Sequence, residues 1–413
     1  MDLRPGLDSG ALVDTQERQR MAEWQNWSGR LRAQPARVAA PSDESELIAL
    51  IKHAQAAESS IGVMGRSHSH SPLVPTDGIL LDASGLCGVL EVDAEAGWAR
   101  IQAATPISEL GRPLRDSGVA LMNQGDIDRQ TLAGAVATGT HGTGVQLQNL
   151  SASLLKARLI LADGSAVVCS QDEEPDLFEV ARLGLGAVGI MTELTVRVRP
   201  AYRLQETLWL EDLDSVLERI DELVQNHRHF EFFWMPGSRR AACKTLVETE
   251  EEAVYPLAEE GKRRAWSYEV LANERNDRHS EMEYSVREED GPACLRELRE
   301  MLAHDFPDLA WPIEYRTLKE DDLWISSARG RPTVTLSVHQ GVDQPDEPLF
   351  RASEAIFRKY DGRPHWGKAH FMTGRDFARI HPRWQDWWRI RDQYDPRELF
   401  LNSHLRRLRP DAD

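Results

Sequence analysis

The sequence predicts an α+β fold in two unlike halves, and the order of its apolar segments is the main reason. In the first half, two short apolar strands flank an amphipathic helix, and antiparallel hairpins follow this βαβ unit. In the second half, the segments follow the order β-α-β-β-α-β. That order predicts an antiparallel sheet that is covered by helices on one face.

Composition restricts the class of protein. The 413 residues include 49 Lys and Arg against 67 Asp and Glu, so the formal net charge is −18. This acidic balance argues against nucleic-acid binding, which depends on cationic side chains. The chain has no basic-then-apolar leader pattern and no apolar run of the roughly 20 residues that a membrane-spanning helix needs. Four widely separated cysteines without a CxxC pair argue against disulfides and a Cys-based zinc site, and predict a reducing, cytoplasmic location.

Changes in composition divide the chain into segments. Residues 1–22 are polar and unpatterned, and we expect a loose extension there. We expect a first domain over residues 23–200, a second over 201–380, and a C-terminal helix and tail over 381–413 that pack back on the first domain. Within the second domain, the Glu-rich residues 248–265 predict an exposed insertion.

Caps, periodicity and turn residues predict the elements of the first half. Asp43 and Glu46 form a capping-box pattern at the start of a helix over residues 43–57, whose apolar side chains recur at helical spacing. Thr105 and Pro106 predict the start of another helix, and Gly118 predicts its end. The remaining predicted elements are strands at 37–39, 61–64, 79–81, 89–92, 98–102, 154–161, 166–169 and 191–198, and a helix at 175–183.

The second half combines amphipathic helices with short apolar strands. Helical spacing of apolar side chains predicts a helix over residues 213–224, and an aromatic, basic helix is predicted over residues 384–394. Between these two helices we predict strands at 229–235, 282–286, 311–316, 333–340 and 366–371, and helices at 292–304 and 349–360.

Two stretches of small residues predict a bound pyrophosphate. The loop Gly65-Arg66-Ser67-His68-Ser69-His70-Ser71-Pro72 lies between two apolar strands, where few β-carbons obstruct its backbone N–H groups. Such a loop offers the donors that a phosphate needs. Residues 131–144 read TLAGAVATGTHGTG, and with Gly125 they supply five glycines. Because a glycine backbone lets a flat ring approach closely, we predict a flavin dinucleotide.

Taken together, these stretches resemble the sugar-1,4-lactone oxidase family, within the vanillyl-alcohol-oxidase type of FAD-binding fold. The resemblance extends over nearly the whole chain and includes gulono-, galactono- and arabinono-lactone oxidases and dehydrogenases, with alditol oxidases as relatives. It implies a two-subdomain FAD-binding domain at 23–200 and a substrate, or cap, domain at 201–380. It also implies that FAD accepts a hydride at N5 from a hydroxyl carbon of a sugar-1,4-lactone, and passes electrons to O2 or another acceptor.

The resemblance assigns the residues that contact FAD. His68 is implied as the candidate for covalent attachment, and Ser67 replaces the glycine that is usual in this loop. Gly125 matches a position over the flavin edge at which a β-carbon would crowd the approach of O2. The other implied FAD-binding residues are Gly65, Arg66, Ser69, His70 and Ser71 in the first loop, Gly134, Thr138, Gly139, His141, Gly142 and Gly144 in the second, and Gly189 and Ile190 at the adenosine end.

The resemblance also implies that Glu314, Arg316, His339 and Lys368 line the substrate pocket. Strand alternation puts Glu314 and Arg316 on the same side of a predicted strand. A fixed cation, Arg316 or Lys368, would stabilise the negative charge that develops in the reaction. Lys368 or His339 would take the hydroxyl proton, and Glu314 would accept hydrogen bonds from substrate hydroxyls while orienting Arg316.

Two other classes of protein compete with this interpretation. His68 with His70, and His365 with His370, are alternative ligand pairs of a metal-dependent hydrolase. No HExxH pattern or acidic partner lies beside them, so we predict no metal. A non-catalytic dinucleotide-binding protein is the second alternative, and the polar substrate-face residues argue against it. Within the flavoenzymes, an open alditol or another polyhydroxylated molecule is an alternative substrate, and the sequence leaves the oligomeric state open.

Overall fold

The computed structural model describes residues 23–411, so the extension predicted at residues 1–22 lies outside the described residues. The strands of the first half are β1 (Trp24–Gln25), β2 (Arg32–Ala33), β3 (Arg37–Ala39), β4 (Ile61–Met64), β5 (Ile79–Asp82), β6 (Val89–Asp93), β7 (Trp98–Gln102), β8 (Val119–Leu121), β9 (Leu154–Ile160), β10 (Ala166–Ser170) and β11 (Ile190–Pro200). Its helices are α1 (Glu44–Ala56), α2 (Gly111–Asp116), α3 (Leu132–Thr138) and α4 (Pro175–Ala181).

The predicted βαβ unit is a three-stranded parallel sheet in the order β3-β5-β4, with α1 connecting β3 to β4. The Asp43 side chain accepts a hydrogen bond from the Glu46 N–H at 2.9 Å, which satisfies a free donor at the start of α1. Leu47, Ile51 and Ala54 bury the apolar face of α1 in a core shared with the sheet. The cap and the apolar face of this helix are therefore as predicted.

An antiparallel sheet forms most of the rest of the first half. Its strand order is β10-β9-β11-β7-β6, and β8 pairs with β11. Side chains of β11 alternate between buried and partly buried positions, as expected of a strand with one face on the core. The predicted hairpins β6–β7 and β9–β10 are confirmed.

The second half contains a single large sheet and most of the helices. Its strands are β12 (Arg203–Asp212), β13 (His229–Trp234), β14 (Arg240–Thr249), β15 (Arg264–Trp266), β16 (His279–Arg287), β17 (Ile313–Leu318), β18 (Thr333–Gly341) and β19 (Arg363–Pro364). Its helices are α5 (Leu213–Glu218), α6 (Ile220–Asn226), α7 (Ser267–Leu271), α8 (Gly291–Asp305), α9 (Glu347–Lys359), α10 (Gly374–Ile380), α11 (Trp384–Tyr394) and α12 (Ser403–Arg407).

The large sheet is antiparallel, in the order β15-β12-β14-β13-β17-β18-β16-β19. Helices α8 and α9 pack on one face, where Tyr284 of β16 stacks on Phe357 of α9 with ring centroids 5.0 Å apart. Because side chains alternate along a strand, the opposite face presents Glu283 of β16 and both Glu314 and Arg316 of β17. The predicted α+β class and its antiparallel sheet are confirmed.

Several predicted elements are wrong in extent. The helix expected after Pro106 is a short 3₁₀ turn at Ile107–Glu109 followed by α2, and Thr105 donates to the Gln102 carbonyl instead of capping it. The helix expected over 213–224 is divided at Arg219, whose φ of −109° and ψ of 14° are not helical. Residues 131–144 are not all loop, since Thr131 caps α3.

Four strands of the large sheet, β12, β14, β15 and β19, were not predicted, and one predicted strand is absent. Strands β12, β14 and β15 were missed because charged residues interrupt their apolar pattern, so 248–249 and 264–265 belong to strands and only the middle of the predicted insertion is an exposed loop. Residues 366–371 form no strand, because the Lys368 N–H donates to the His365 carbonyl at 3.0 Å and closes a turn. In this region only β19 forms ladder pairs with β16, and the His365 and Ala369 N–H groups make single hydrogen bonds to the Glu283 and Glu281 carbonyls.

The C-terminal helix α11 packs against the first half of the chain. The Trp387 indole N–H donates to the Leu183 carbonyl at 3.3 Å, and the Arg391 guanidinium donates to the Ala187 carbonyl at 3.0 Å. Both acceptors precede β11, so α11 fixes the segment that leads into this strand. Over residues 23–411, no helix combines the length and the apolar character that crossing a bilayer requires.

Candidate functional site

A cleft of about 420 Å³ lies between the two halves of the chain. Loops of the first half form one wall, and the polar face of the large sheet forms the other. Most of the first-half wall comes from residues within the segments 61–69, 125–141 and 184–191. The cleft therefore brings together segments that are more than a hundred positions apart.

The first loop is held in an unusual backbone conformation. Ser67 has a φ of +58°, in the left-handed region that favours glycine. Its hydroxyl accepts a hydrogen bond from the Trp24 indole at 3.0 Å, and its carbonyl accepts one from the Trp27 N–H at 2.7 Å. The Asn26 amide donates to the Ser69 carbonyl at 3.0 Å. These contacts from β1 and the following turn stabilise a loop shape that a serine alone does not favour.

His68 lies in the cleft with its ring stacked on Trp27, the two ring centroids being 5.7 Å apart. Burial, together with the positive charges of Lys368 and Arg129, lowers the pKa of His68 to about 4. The imidazole is therefore neutral near pH 7 and carries a free lone pair.

The small-residue stretch 131–144 contributes only part of its length to the cleft. Gly134, Thr138 and His141 line it, as do Gly65, Arg66, Ser67, His68, Ser69, Gly125, Gly189 and Ile190. Five predicted cofactor-binding residues do not line it: His70, Ser71, Gly139, Gly142 and Gly144.

Each of these five residues has a structural contact instead. Gly139 ends α3 with a φ of +73°, and a β-carbon on Gly142 would lie 2.3 Å from the Gln124 carbonyl oxygen. Gly144 forms a bridge to β17, and its N–H donates to the Thr317 carbonyl at 2.9 Å. The Ser71 hydroxyl contacts the His404 ring at 3.3 Å, and His70 stacks on His279 behind the loop.

The opposite wall brings all four predicted substrate-face residues into the cleft. Glu314 and Arg316 project from β17 and His339 from β18, and Lys368 follows β19. The predicted partnership of Glu314 and Arg316 is looser than expected, because their side chains are 3.4 Å apart. Arg316 contacts the Glu283 carboxylate more closely.

Glu283 is the centre of a buried polar cluster. Its carboxylate accepts hydrogen bonds from the His141 Nε2 atom at 2.8 Å and the Ser337 hydroxyl at 2.8 Å, in addition to the Arg316 contact. Burial alone would raise the pKa of Glu283, but His141 and Arg316 hold it well below its usual range. Glu283 is therefore an ionised carboxylate, and it balances the buried Arg316 charge.

Glu281 holds the second cation of the cleft. The Lys368 ammonium contacts its carboxylate, and the His339 Nε2 atom lies 3.7 Å from it. Burial alone would raise the pKa of Glu281, but Lys368 and His339 hold it well below its usual range. The His339 Nδ1–H donates to the Pro312 carbonyl at 2.8 Å, so the tautomer with a free Nε2 lone pair is favoured. Burial lowers the pKa of His339 to about 4.

Glu314 differs from the other carboxylates. Burial raises its pKa to about 8, and the nearby acidic side chains of Asp126 and Glu231 add to the burial effect against the Arg316 charge. No residue of the described chain gives its buried Oε1 atom a hydrogen-bond partner. Glu314 therefore offers an unpaired oxygen to a ligand in the cleft.

The cofactor side of the cleft fits a dinucleotide. Within residues 23–411, the backbone N–H groups of Arg66, Ser67, His68 and Ser69 donate to no other residue, and the buried Gln130 Oε1 atom, which lines the cleft, has no partner. Free N–H groups on a small-residue loop are the donors that a pyrophosphate accepts.

Two protein-family models match this chain. A family model described as D-arabinono-1,4-lactone oxidase matches residues 194–266 and 255–408, and an FAD binding domain model matches residues 35–170. The chain is 32% identical over 424 residues to L-gulono-1,4-lactone dehydrogenase from Mycobacterium tuberculosis, covering 93% of this chain and 98% of the relative. The chain belongs to the D-arabinono-1,4-lactone oxidase family.

Other similarities agree with this assignment. L-gulonolactone oxidase from Mus musculus is 26% identical over 430 residues, covering 94% of this chain and 98% of the relative. The structure of cholesterol oxidase from Brevibacterium sterolicum superposes with a TM-score of 0.83 at 15% identity, covering 94% and 96% of the two chains, which shows the fold. This member of the lactone oxidase family is an FAD-dependent oxidoreductase, and the predicted family, fold and cofactor are confirmed.

Sequence reasoning missed the residues of β16 in this family member. His279, Glu281 and Glu283 occur at every second position of β16, so they share one face of the strand, and all three line the cleft. Their spacing of two was a readable signal, but the strand was predicted to begin only at Met282 because the earlier residues are polar.

Within residues 23–411, only one histidine of each pair predicted for a metal-dependent hydrolase, His70 or His365, meets a carboxylate in a cluster with metal-ligand spacing. The structure brings His70 and His279 together with Glu281, and His141 and His365 together with Glu283. Each of these carboxylates already contacts a cation, Lys368 for Glu281 and Arg316 for Glu283. The positive charge that a metal ion would supply is therefore provided by side chains.

Proposed function

We propose that this enzyme oxidises a hydroxyl carbon of a sugar-1,4-lactone of the gulono, galactono or arabinono type. The observation that carries the proposal is the cleft itself, in which the buried Arg316, the partly buried Lys368, a neutral histidine and an unpaired carboxyl face the cofactor-side loops. A small, uncharged, polyhydroxylated ring suits these groups because they offer several hydrogen bonds in a confined space. The names of the relatives support the lactone as the first candidate.

Each side chain has a role in this proposal. Bound FAD supplies the hydride acceptor. Arg316 and Lys368 stabilise negative charge on the substrate oxygen, and the burial of Arg316 strengthens its effect. His339 takes the hydroxyl proton at Nε2, the nitrogen left free by the bond to Pro312. Glu314 accepts a hydrogen bond from a second substrate hydroxyl.

We infer that the two halves divide this work. Residues 23–200 would bind FAD, residues 201–380 would bind substrate, and residues 381–413 would pack back on the first domain. The family models support this division, because the FAD binding domain match ends at residue 170 and the lactone oxidase match begins at residue 194. The contacts of α11 with Leu183 and Ala187 support the third part.

We further propose that O2 is an electron acceptor and that His68 attaches the flavin covalently. Gly125 supports the first point, since the cleft wall carries no side chain at this position. The buried, neutral ring of His68 supports the second, because attachment requires a nitrogen lone pair. Four free cysteines, three of them buried, support a cytoplasmic location.

The decisive experiment is a substrate screen on the FAD-loaded protein. Sugar-1,4-lactones, alditols and aldonic acids are compared for peroxide release, with reduction of an artificial dye measured in parallel. Turnover of lactones above alditols supports the proposal, and dye reduction without peroxide would make the enzyme a dehydrogenase. Turnover of alditols alone would replace the proposed substrate class.

A further inference from the structure

Glu283 lies where three cleft-facing segments meet. Its side chain is 0% exposed, and its carboxylate accepts hydrogen bonds from His141, which follows α3, and from Ser337 of β18. It also contacts the Arg316 guanidinium of β17. One carboxylate therefore joins the cofactor side of the cleft to the substrate side.

Arg316 has no equivalent second anchor. Glu314 is 3.4 Å away, and among the described residues the buried Arg316 Nε atom has no hydrogen-bond partner. A buried guanidinium needs a carboxylate to balance its charge, and charge-assisted contacts of this kind fix its orientation. Without Glu283, the guanidinium would turn toward Glu314 and occupy the oxygen that faces the substrate.

We propose that Glu283 is a positioning residue that holds the Arg316 guanidinium in the cleft and ties it to His141 on the cofactor-side loop. The inference rests on the proposed function, which gives Arg316 the task of stabilising negative charge beside the flavin. The Glu283 side chain is 0% exposed, and its carboxylate already contacts Arg316, His141 and Ser337. Its effect passes through Arg316.

A double-mutant cycle on the FAD-loaded protein tests this coupling. The midpoint potential of the bound flavin is measured for the parent, Glu283→Gln, Arg316→Ala and the double variant, and the measurement needs no substrate. We expect Glu283→Gln to shift the two-electron equilibrium about tenfold, or about 30 mV, in the parent. In the Arg316→Ala background we expect less than about a third of that change.

Kinetics and control variants complete the test. With the substrate found in the screen, Glu283→Gln should lower kcat about tenfold while KM changes less than about threefold, because the lost contact serves the transition state. Glu283→Asp keeps the charge and should recover part of the loss in kcat. If Glu283→Gln does not fold, Glu283→Asp replaces it in the double-mutant cycle. Ser353→Ala removes a buried hydroxyl that donates to the Leu349 carbonyl outside the cleft, and should leave the potential unchanged.

Two results would overturn the inference. Equal shifts for Glu283→Gln in both backgrounds would mean that Glu283 acts on the fold rather than through Arg316. An unchanged flavin potential in Arg316→Ala would mean that the Arg316 charge does not act on the flavin. If lactones are not oxidised, but the potential shifts of the single variants do not add up to that of the double variant, the proposed substrate is rejected. The positioning role of Glu283 is then still supported.

Discussion

The Glu314 carboxyl lies 3.4 Å from the Arg316 guanidinium, yet its Oε1 atom has no hydrogen-bond partner among the described residues. The two side chains share one face of β17, but Arg316 is directed to Glu283. Burial therefore raises the pKa of Glu314, whereas Glu281 and Glu283, which contact cations, have lowered pKa values.

The titration of Glu314 makes stability depend on pH. Its pKa is about 8 in the folded protein, against 4.5 for an ordinary glutamate, so the folded state binds this proton more tightly. The contribution to stability is present below the unfolded pKa and is lost as pH rises toward about 8. Glu314→Gln removes the titration, so we expect its free energy of unfolding relative to the parent to increase from about pH 5 to about pH 8. Urea denaturation at constant ionic strength measures this difference, and Glu218→Gln, at an exposed position, is the control. A difference for Glu314→Gln that does not change with pH would contradict the prediction.

His339 is expected to limit substrate oxidation. His339→Gln retains an N–H for the Pro312 carbonyl but loses the Nε2 lone pair, and general-base catalysis contributes roughly 10²- to 10⁴-fold. We expect flavin reduction, followed by anaerobic stopped-flow absorbance, to slow by about 100-fold or more. His370→Gln is the matched control, because His370 has buried ring nitrogens and lies outside the cleft. Similar rates for the two variants would argue against His339 as the base.

Gly125 is expected to govern the reaction with O2. A β-carbon at this position would lie 3.2 Å from the His141 carbonyl oxygen, which is a tight contact in the cleft wall. For Gly125→Ala we expect reoxidation of the reduced flavin by O2 to slow about tenfold or more, with reduction by substrate changed less than about threefold. Stopped-flow mixing with buffers of known O2 content separates the two steps. Equal slowing of both steps would point to a distorted loop instead.

Covalent attachment is expected to depend on His68 alone. Acid precipitation of the parent should leave yellow flavin in the pellet, whereas His68→Ala should bind FAD but release it to the supernatant. His70→Ala is the control and should retain the attachment, because His70 does not line the cleft. Flavin in the supernatant of the parent would show that the cofactor is held without a covalent bond.

Asp395 is expected to be important for stability. Its buried carboxylate contacts Arg391 and accepts hydrogen bonds from the Leu399 and Phe400 N–H groups at 2.9 and 3.0 Å. Asp395→Ala removes the buried carboxylate partner of Arg391 and leaves the partly exposed Asp392 as its partner, which costs about 3–5 kcal/mol. Asp392→Ala, at a partly exposed partner of Arg391, should cost less than about 1 kcal/mol. Chemical denaturation measures both, and equal losses would contradict the burial argument.

Local sequence signals determined many of the helices and strands of this protein. The capping pair Asp43 and Glu46 predicted the start of α1, and alternation predicted the shared face of Glu314 and Arg316. Such signals act over a few residues, where backbone geometry decides the outcome. The resemblance in the two small-residue stretches gave the family and FAD, since both depend on short motifs in a fixed order.

Only the tertiary structure decided which charges meet. Glu283 and His141 are 142 positions apart, and no local pattern links them. Lys368 lies within the strand predicted over 366–371, but a turn closed by the His365 carbonyl takes the place of that strand and directs Lys368 to Glu281. The raised pKa of Glu314 depends on burial and on charged side chains from other parts of the chain. It is therefore a property of the folded cleft and has no local sequence signal. The sequence by itself determined the family, the cofactor and most local elements, while long-range packing determined the electrostatics of the site.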